Sequence, residues 1–280
     1  VQGVDEYQDL LRISVASAGN DHRLGAHEAP PAIISIFLGD ELTGILEAIE
    51  NDRAYDSMEC QKLETGVHVL PDLNKDTTDR NRTSPFAFTG NKFEFRMVGS
   101  EDSIGSPNTT LNAIVAEAFC EAADRLEGAE DFDMAVHDLI KEYASKHQRI
   151  VFNGNGYSDE WVKEAERRGL PNIKTMVESI ECLTYDNAVE MFEKFDVFSR
   201  AELESRAEIK YEAYSKAINI EARSMIDIAS KHIIPAVIQY VTSLANSINQ
   251  VKQASAAAYT GVQEELLVPV SYTHLRAHET

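Results

Sequence analysis

The sequence predicts an α+β protein, with a mixed part over residues 1–130 and a mostly helical part over residues 131–269. Three observations lead there. Ala32–Leu38 is a continuous apolar run rich in β-branched residues, the composition of a buried strand. Lys92-Phe93-Glu94-Phe95-Arg96 alternates charged and aromatic residues, the period of a strand with one polar face. From Ser106 onward apolar residues recur at helical spacing, and the chain reads as nearly all helical. A length of 280 residues allows one or two domains with a sizeable core.

Taken in order, Leu10, Leu11 and Val15 keep helical spacing, which predicts a helix over 5–17 that stops at Gly19-Asn20. A polar loop follows to Pro31, then the strand at 32–38. Gly39-Asp40 ends that strand, and Asp40 can cap a helix over 41–51. Val67–Leu70 is a short strand candidate. Asn81–Arg96 reads as two extended runs joined by Thr89-Gly90-Asn91. Ser106-Pro107 has the chemistry of a helix start, for a helix to about Glu127. Further helices are expected near 131–147, 158–168, 172–181, 185–194 and 199–255, punctuated by Gly154, Gly156, Gly169 and Pro171. Pro235 should kink or divide the last of these. Phe192, Phe195, Phe198, Tyr211 and Tyr214 fit helix packing. Gly154-Asn155-Gly156 reads as a turn, because it has neither the lysine nor the spacing of a phosphate loop.

Val270–Thr280 departs from the style of what precedes it and resembles a translated sequencing-library adapter, so 270–280 is set apart from the fold. His274 and His278 fall in it, and their helical spacing is given no metal role. The first residues, Val1–Glu6, carry no signal-peptide pattern and no starting Met, so the chain is expected to begin within a longer protein.

The net charge is −21, with 43% hydrophobic and 26% charged residues. A surface this acidic repels nucleic-acid phosphate and anionic lipid, which excludes both as expected partners. No apolar run is long enough to span a bilayer. Cys60, Cys120 and Cys182 are widely spaced and odd in number, reading as reduced thiols of a cytoplasmic protein, with Cys120 in the core. An anionic substrate would need a local cationic pocket, which Arg23, Arg80, Arg82 and Arg96 could supply.

Two clusters carry the chemistry: Asn20-Asp-His-Arg-Leu-Gly-Ala-His-Glu-Ala-Pro-Pro31 and Asn81–Arg96. With Ser106-Pro107-Asn108, Phe152–Trp161 and Gly169–Thr175, they form ordered blocks that resemble the glutamine synthetases, closest to the long type III enzymes. The blocks are Asn20–Leu24, Glu28–Pro30, Arg80–Thr83, Lys92–Arg96 and Ser106–Asn108. The resemblance covers the chain to about Pro269. It implies the C-terminal half of a catalytic domain, an antiparallel sheet with helices, followed by a helical C-terminal domain.

The resemblance further implies ATP-dependent ligation of ammonia to L-glutamate through a γ-glutamyl phosphate, with Mg2+ or Mn2+. Glu94 aligns with a metal-binding glutamate; an ordinary salt bridge to Lys92 or Arg96 is the bland alternative. Arg96 would contact glutamate or the transferring phosphoryl group, Arg82 the nucleotide phosphates, with Arg80 beside it. Arg23 matches the arginine that grips the substrate carboxylate, and Glu28 the flap glutamate that helps form an ammonium pocket. Gly25 frees the loop and Pro30-Pro31 anchors its exit. The Arg23-to-Glu28 spacing is one residue shorter than in the commoner bacterial type, and Phe86-Ala87-Phe88 stands where a further arginine is expected. His22 and His27 read as polar loop residues.

The family's remaining metal ligands and most of its nucleotide pocket would lie upstream, so the isolated chain is expected to be inactive. The complete protein is expected to form a large homo-oligomer of stacked rings. Two other readings stand beside the ligase: a non-catalytic helical oligomerisation or interaction module, and a degenerate homologue that binds nucleotide without ligating.

Overall fold

The computed structural model describes residues 1–26, 28–55, 62–63, 73–74, 84–99 and 102–277, with 62–63, 73–74 and 271–277 described by backbone alone. The chain forms two compact units, Val1–Tyr214 and Ser215–Thr280.

In the first unit the expected helix over 5–17 is two short helices, α1 (Gln2–Glu6) and α2 (Gln8–Ser14), broken at Tyr7 with φ −120° and ψ 28°. Each packs on α4 (Gly105–Leu126). The approach is close: a Cβ on Gly3 would stand 2.5 Å from Ile114 Cγ2. Packing of both pieces on one partner overrides the continuous periodicity of the sequence. Ala18–His22 then forms a 3-10 turn that leads into the candidate loop.

Only Ile36–Phe37 (β1) of the Ala32–Leu38 run joins a ladder, although the whole run is buried. β1 pairs in parallel with β4 (Phe86–Phe88), and β4 pairs antiparallel with β5 (Phe93–Phe95). The three-stranded sheet is therefore mixed, its hairpin antiparallel and its β1 edge parallel. Thr89 N–H donates to Lys92 O at 2.9 Å and Gly90 takes φ 91°, closing the expected turn between the two extended runs. The register sets Phe86 opposite Phe95 and Phe88 opposite Phe93, with ring centroids 4.6 and 5.2 Å apart. Such cross-strand aromatic pairs fix the register of a short ladder. Beyond β1, Phe152 N–H donates to Ile36 O at 2.9 Å, extending the edge. Two further two-residue strands, β2 (Lys62–Leu63) and β3 (Leu73–Asn74), pair antiparallel. The strand candidate Val67–Leu70 lies outside the described residues, as do Cys60 and His68.

α3 (Gly39–Glu50) starts before Asp40, which does not cap it. Gly39 takes φ 79°, so the helix begins directly at the sharp exit from the strand. The capping side chain comes from far along the chain. Asn153 Oδ1 accepts from Leu38 N–H at 3.0 Å and Gly39 N–H at 3.2 Å, while Asn153 Nδ2 donates to Thr43 Oγ1 at 2.8 Å. Asp40 instead adds negative charge to the first turn, where it suits the helix dipole.

α4 begins at Gly105, so Ser106 and Pro107 lie within its first turn rather than at its cap. Proline is harmless there because first-turn amides have no intrahelical acceptor. α5 (Phe132–His147), α6 (Asp159–Arg167) and α8 (Asp186–Lys194) fall where expected, the first two capped by Asp131 and Ser158. α7 is only Met176–Ile180, shorter than the expected 172–181, and opens with a Thr175–Glu178 capping box. The Ile173 and Lys174 carbonyls turn to Arg12 instead of to a helical amide. Leu10, Leu11, Ile13, Ile36, Ile114, Ile150, Ile180, Phe192 and Leu203 belong to one core cluster, drawn from both sides of residue 130.

Phe192 and Phe198 pack edge-on at 5.3 Å, and Phe195 and Tyr214 pack against the core, whereas Tyr211 is exposed. Cys182 is buried, but Cys120 is half-buried on α4 rather than in the core.

The last long helix is divided, as Pro235 demands. α9 (Arg200–Ile228) passes through a π-helical turn, Ala229–Ile233, into α10 (Ile234–Ala254), whose first turn contains the proline. A widened turn accommodates a ring that would otherwise clash with the carbonyl four residues back. In the second unit α10 packs on α11 (Gly261–Ala277), joined by a Lys252–Glu264 ion pair. α11 runs across the Val270 boundary.

Candidate functional site

β5 and the residues beside it place three charges on one side. Arg96 donates to Glu94 Oε2 through Nε at 3.0 Å and Nη2 at 2.6 Å, and Lys92 Nζ lies 3.4 Å from Glu94 Oε1. Ala87, opposite Glu94, is fully buried, so the short neighbour leaves the carboxylate room at the sheet surface. Arg96 first, then Lys92, hold the Glu94 carboxyl below the usual carboxylate range. It is an ionised carboxylate between two cations, half-exposed. The salt bridge and the capacity to bind a cation are therefore not exclusive, but both oxygens are engaged in this conformation.

The second cluster springs from the 3-10 turn. Asn20, buried, donates through Nδ2 to Val15 O at 2.8 Å and to Val98 O at 3.1 Å. Val98 follows Arg96 by two residues, so Asn20 ties the root of the loop to the exit of the charged strand. The loop then closes on itself: Leu24 bridges Ala29, and Gly25 N–H reaches the Ala29 and Pro30 carbonyls at 3.2 and 3.0 Å. Gly25 takes φ 74°, which favours glycine at that point. Ala29 is buried beneath, which fixes the exit at Pro30.

Outside this closed base, Arg23 Nε donates to Glu28 Oε2 at 2.9 Å, with side chains 44% and 67% exposed. An ion pair that exposed is held by about 0–1 kcal/mol, so a carboxylate ligand could take the place of Glu28 at little cost. The structure thus brings Arg23 to Glu28, and Lys92 and Arg96 to Glu94, with Asn20 linking the two groups at their roots. Arg80, Arg82 and His27 lie outside the described residues.

Sequence reading missed the supports of the loop. Arg12, 1% exposed, donates through Nε to Ile173 O at 2.9 Å and through Nη2 to Lys174 O at 3.3 Å. Asp21 Oδ1 accepts from Met176 N–H at 2.8 Å and lies 3.8 Å from Arg12 Nη2. Burial raises the Asp21 carboxyl, with the Met176 amide, Arg12 and Tyr214 opposing. A chain such as Arg12–Asp21–Met176 leaves no local signal, since Met176 lies 155 positions from Asp21.

His147 is buried against Asp5 at 2.8 Å, and Arg149 takes the other Asp5 oxygen, tying α1 to the end of α5. Among the described residues no group of three or more His, Cys, Asp or Glu is placed to hold a metal ion. A cleft of about 880 Å3 between α3, α4 and α5 is lined by none of the expected site residues. A smaller cavity of about 330 Å3 lies against Phe95, Met97 and Val98 and reaches Lys210, whose ammonium burial depresses. No helix among the described residues is long and apolar enough to cross a membrane.

Residues 135–252 match the family model of the glutamine synthetase C-terminal domain. The chain is 44% identical over 254 residues to the type-3 glutamine synthetase of Dictyostelium discoideum, covering 90% of this chain and 35% of that protein. It is 42% identical over 257 residues to a glutamine synthetase of Butyrivibrio fibrisolvens, covering 90% and 36%. A glutamine synthetase of Bacteroides fragilis is 40% identical over 257 residues, covering 89% and 35%. The chain spans about a third of the length of these curated relatives.

Proposed function

Since the chain belongs to the glutamine synthetase family, we propose that it is a segment of a longer cytoplasmic glutamate–ammonia ligase and contributes part of that enzyme's active site. The reaction in glutamine biosynthesis joins ammonia to the γ-carboxyl of L-glutamate, with ATP supplying the phosphoryl group that turns the carboxylate oxygen into a leaving group. Ammonium must lose a proton before its nitrogen attacks the γ-carbon, and phosphate departs as the amide forms. The observation that carries the reading is the pair of charged groups anchored to each other through Asn20: a carboxylate held between Lys92 and Arg96, and the Arg23–Glu28 loop.

Each described residue then has a role fitted to its chemistry. Arg23 releases Glu28 and takes the substrate's carboxylate. Glu28, so freed, accepts the proton from ammonium. The Arg96 guanidinium matches a carboxylate or phosphoryl group in two-pronged fashion and balances charge that grows on its oxygens. Arg82, with Arg80 beside it, would hold nucleotide phosphates. Closure of a loop of this kind would keep water from an acyl phosphate.

Divalent metal is the cofactor such phosphoryl chemistry calls for. The described residues do not by themselves fit it: Glu94 is one carboxylate, already shared by two cations, and a hard cation wants several oxygen ligands. Glu94 as a ligand therefore needs partners from outside these residues, and no step is derived through the metal. The same shortfall supports the expectation that the 280-residue chain alone makes no glutamine. The active protein would be a large homo-oligomer.

The test is expression of the complete gene beside this chain, each assayed for glutamine from glutamate, ammonium and ATP with Mg2+ or Mn2+. Turnover by the complete protein only is the expected result. No turnover by the complete protein removes the ligase reading, and turnover by the chain alone removes the fragment reading.

A further inference from the structure

Asp21 and Arg12 lie just outside the groups assigned above, and their contacts have a direction. Arg12 reaches across from α2 and fastens two successive carbonyls, Ile173 and Lys174. Asp21, two positions before Arg23, takes the first amide of α7, Met176. The Arg12 and Asp21 side chains are 1% and 8% exposed and stand 3.8 Å apart. Three backbone groups of the helical part, within four residues, are therefore held by one buried cation and one buried anion. That anion is in the turn from which the Arg23–Glu28 loop departs, and Asn20 in the same turn is fixed to Val15 and Val98.

The turn is thus pinned on two sides, by the exit of β5 through Asn20 and by the Ile173–Met176 segment through Asp21. Between Asp21 and the Leu24–Ala29 bridge only two residues intervene, one of them Arg23. A displacement of the turn at Asp21 has no flexible linker to absorb it before it reaches the guanidinium. The exposed Arg23–Glu28 pair is too weak to restore the pose by itself.

We infer that Asp21 and Arg12 are positioning residues, locking the root of the Arg23–Glu28 loop onto Ile173–Met176 so that the helical part of the chain sets where both side chains meet glutamate and ammonium. The inference rests on the ligase reading. It gives the helical segment a part in substrate handling without contact to substrate. A change at Ile173–Met176, as when another body docks on that segment, would then be felt at the loop.

The test compares Asp21→Ala, Asp21→Asn and Arg12→Lys in the complete synthetase, reading KM for ammonium and for glutamate, kcat, thermal midpoint, and hydrogen exchange at the Gly25 and Ala26 amides. Asp21→Ala should raise both KM values about tenfold or more and lower kcat as well, since a small misplacement of a reacting group costs up to about 100-fold. Asp21→Asn keeps an oxygen for Met176 N–H and should recover most of the loss. Arg12→Lys, which cannot span both carbonyls and Asp21, should shift KM in the same direction and speed exchange at Gly25 and Ala26. Should Asp21→Ala not fold, that variant carries the test. Unmoved KM and exchange in an active enzyme would overturn the inference and leave the ligase reading intact. Loss of kcat and thermal midpoint together, with KM fixed, would also overturn it and leave a structural buried pair. A wild-type enzyme that makes no glutamine removes both.

Discussion

Asn153 offers a sharp test of how the sheet edge and α3 are joined. Its Oδ1 is shared by the Leu38 and Gly39 amides, and its Nδ2 donates to Thr43 Oγ1. Asn153→Ala removes all three bonds. Leu38 and Gly39 are buried, so their amides would be left dry rather than passed to bulk water. Loss of a capping side chain costs about 0.5–2 kcal/mol. The additional hydrogen bond to Thr43 and the second unsatisfied amide bring the expected total to about 2–3 kcal/mol. Denaturant unfolding in urea would read this as a lower midpoint at unchanged slope. Asn153→Asp is the control: it keeps the acceptor and adds charge favourable to the helix start, losing only the Thr43 bond, and should stay within about 1 kcal/mol of the parent. A cost below about 0.5 kcal/mol for Asn153→Ala would refute the capping role.

Three further outcomes follow from the same coordinates. Gly3→Ala forces a Cβ to 2.5 Å from Ile114 Cγ2 and should destabilise by about 1–3 kcal/mol in the same unfolding assay. Thr175→Ala breaks the α7 capping box and should cost about 1 kcal/mol, with Thr175→Ser recovering most of it. Burial pushes the Cys182 thiol up to about 11, above its unfolded value. The native state therefore holds the proton that the unfolded chain gives up first, and that contribution is present below pH about 9 and lost as pH rises towards 11. Thermal midpoints measured from pH 8 to 11 should fall less steeply in Cys182→Ala than in the parent.

What could be read in the sequence was what is local. The helices near 131–147, 158–168 and 185–194 fall where their local periodicity put them, and the charged–aromatic alternation at 92–96 gives the β5 face directly. The polar loop to Pro31 was legible too, because its closure depends on Gly25 and on Pro30 within a few residues. Asp40 misled for the converse reason: a good local cap was displaced by an asparagine 115 positions from Leu38. The single helix over 5–17 failed because two short pieces can both lie on α4 only if the chain breaks at Tyr7. Arg12 and Asp21 were invisible, since a buried arginine on a helix looks like any exposed one until its distant carbonyls are known.

The central claim is that Glu28 and Glu94 serve one reaction centre. A double-mutant cycle on kcat/KM for glutamine formation tests it most directly, using Glu28→Ala, Glu94→Ala and the pair in the complete synthetase. Each single change should lower kcat/KM by about 100-fold or more, and the double variant should be little worse than the poorer single one, as for groups that act as a unit. Wild-type kcat/KM in either single variant, or losses that simply multiply in the double, would contradict the claim.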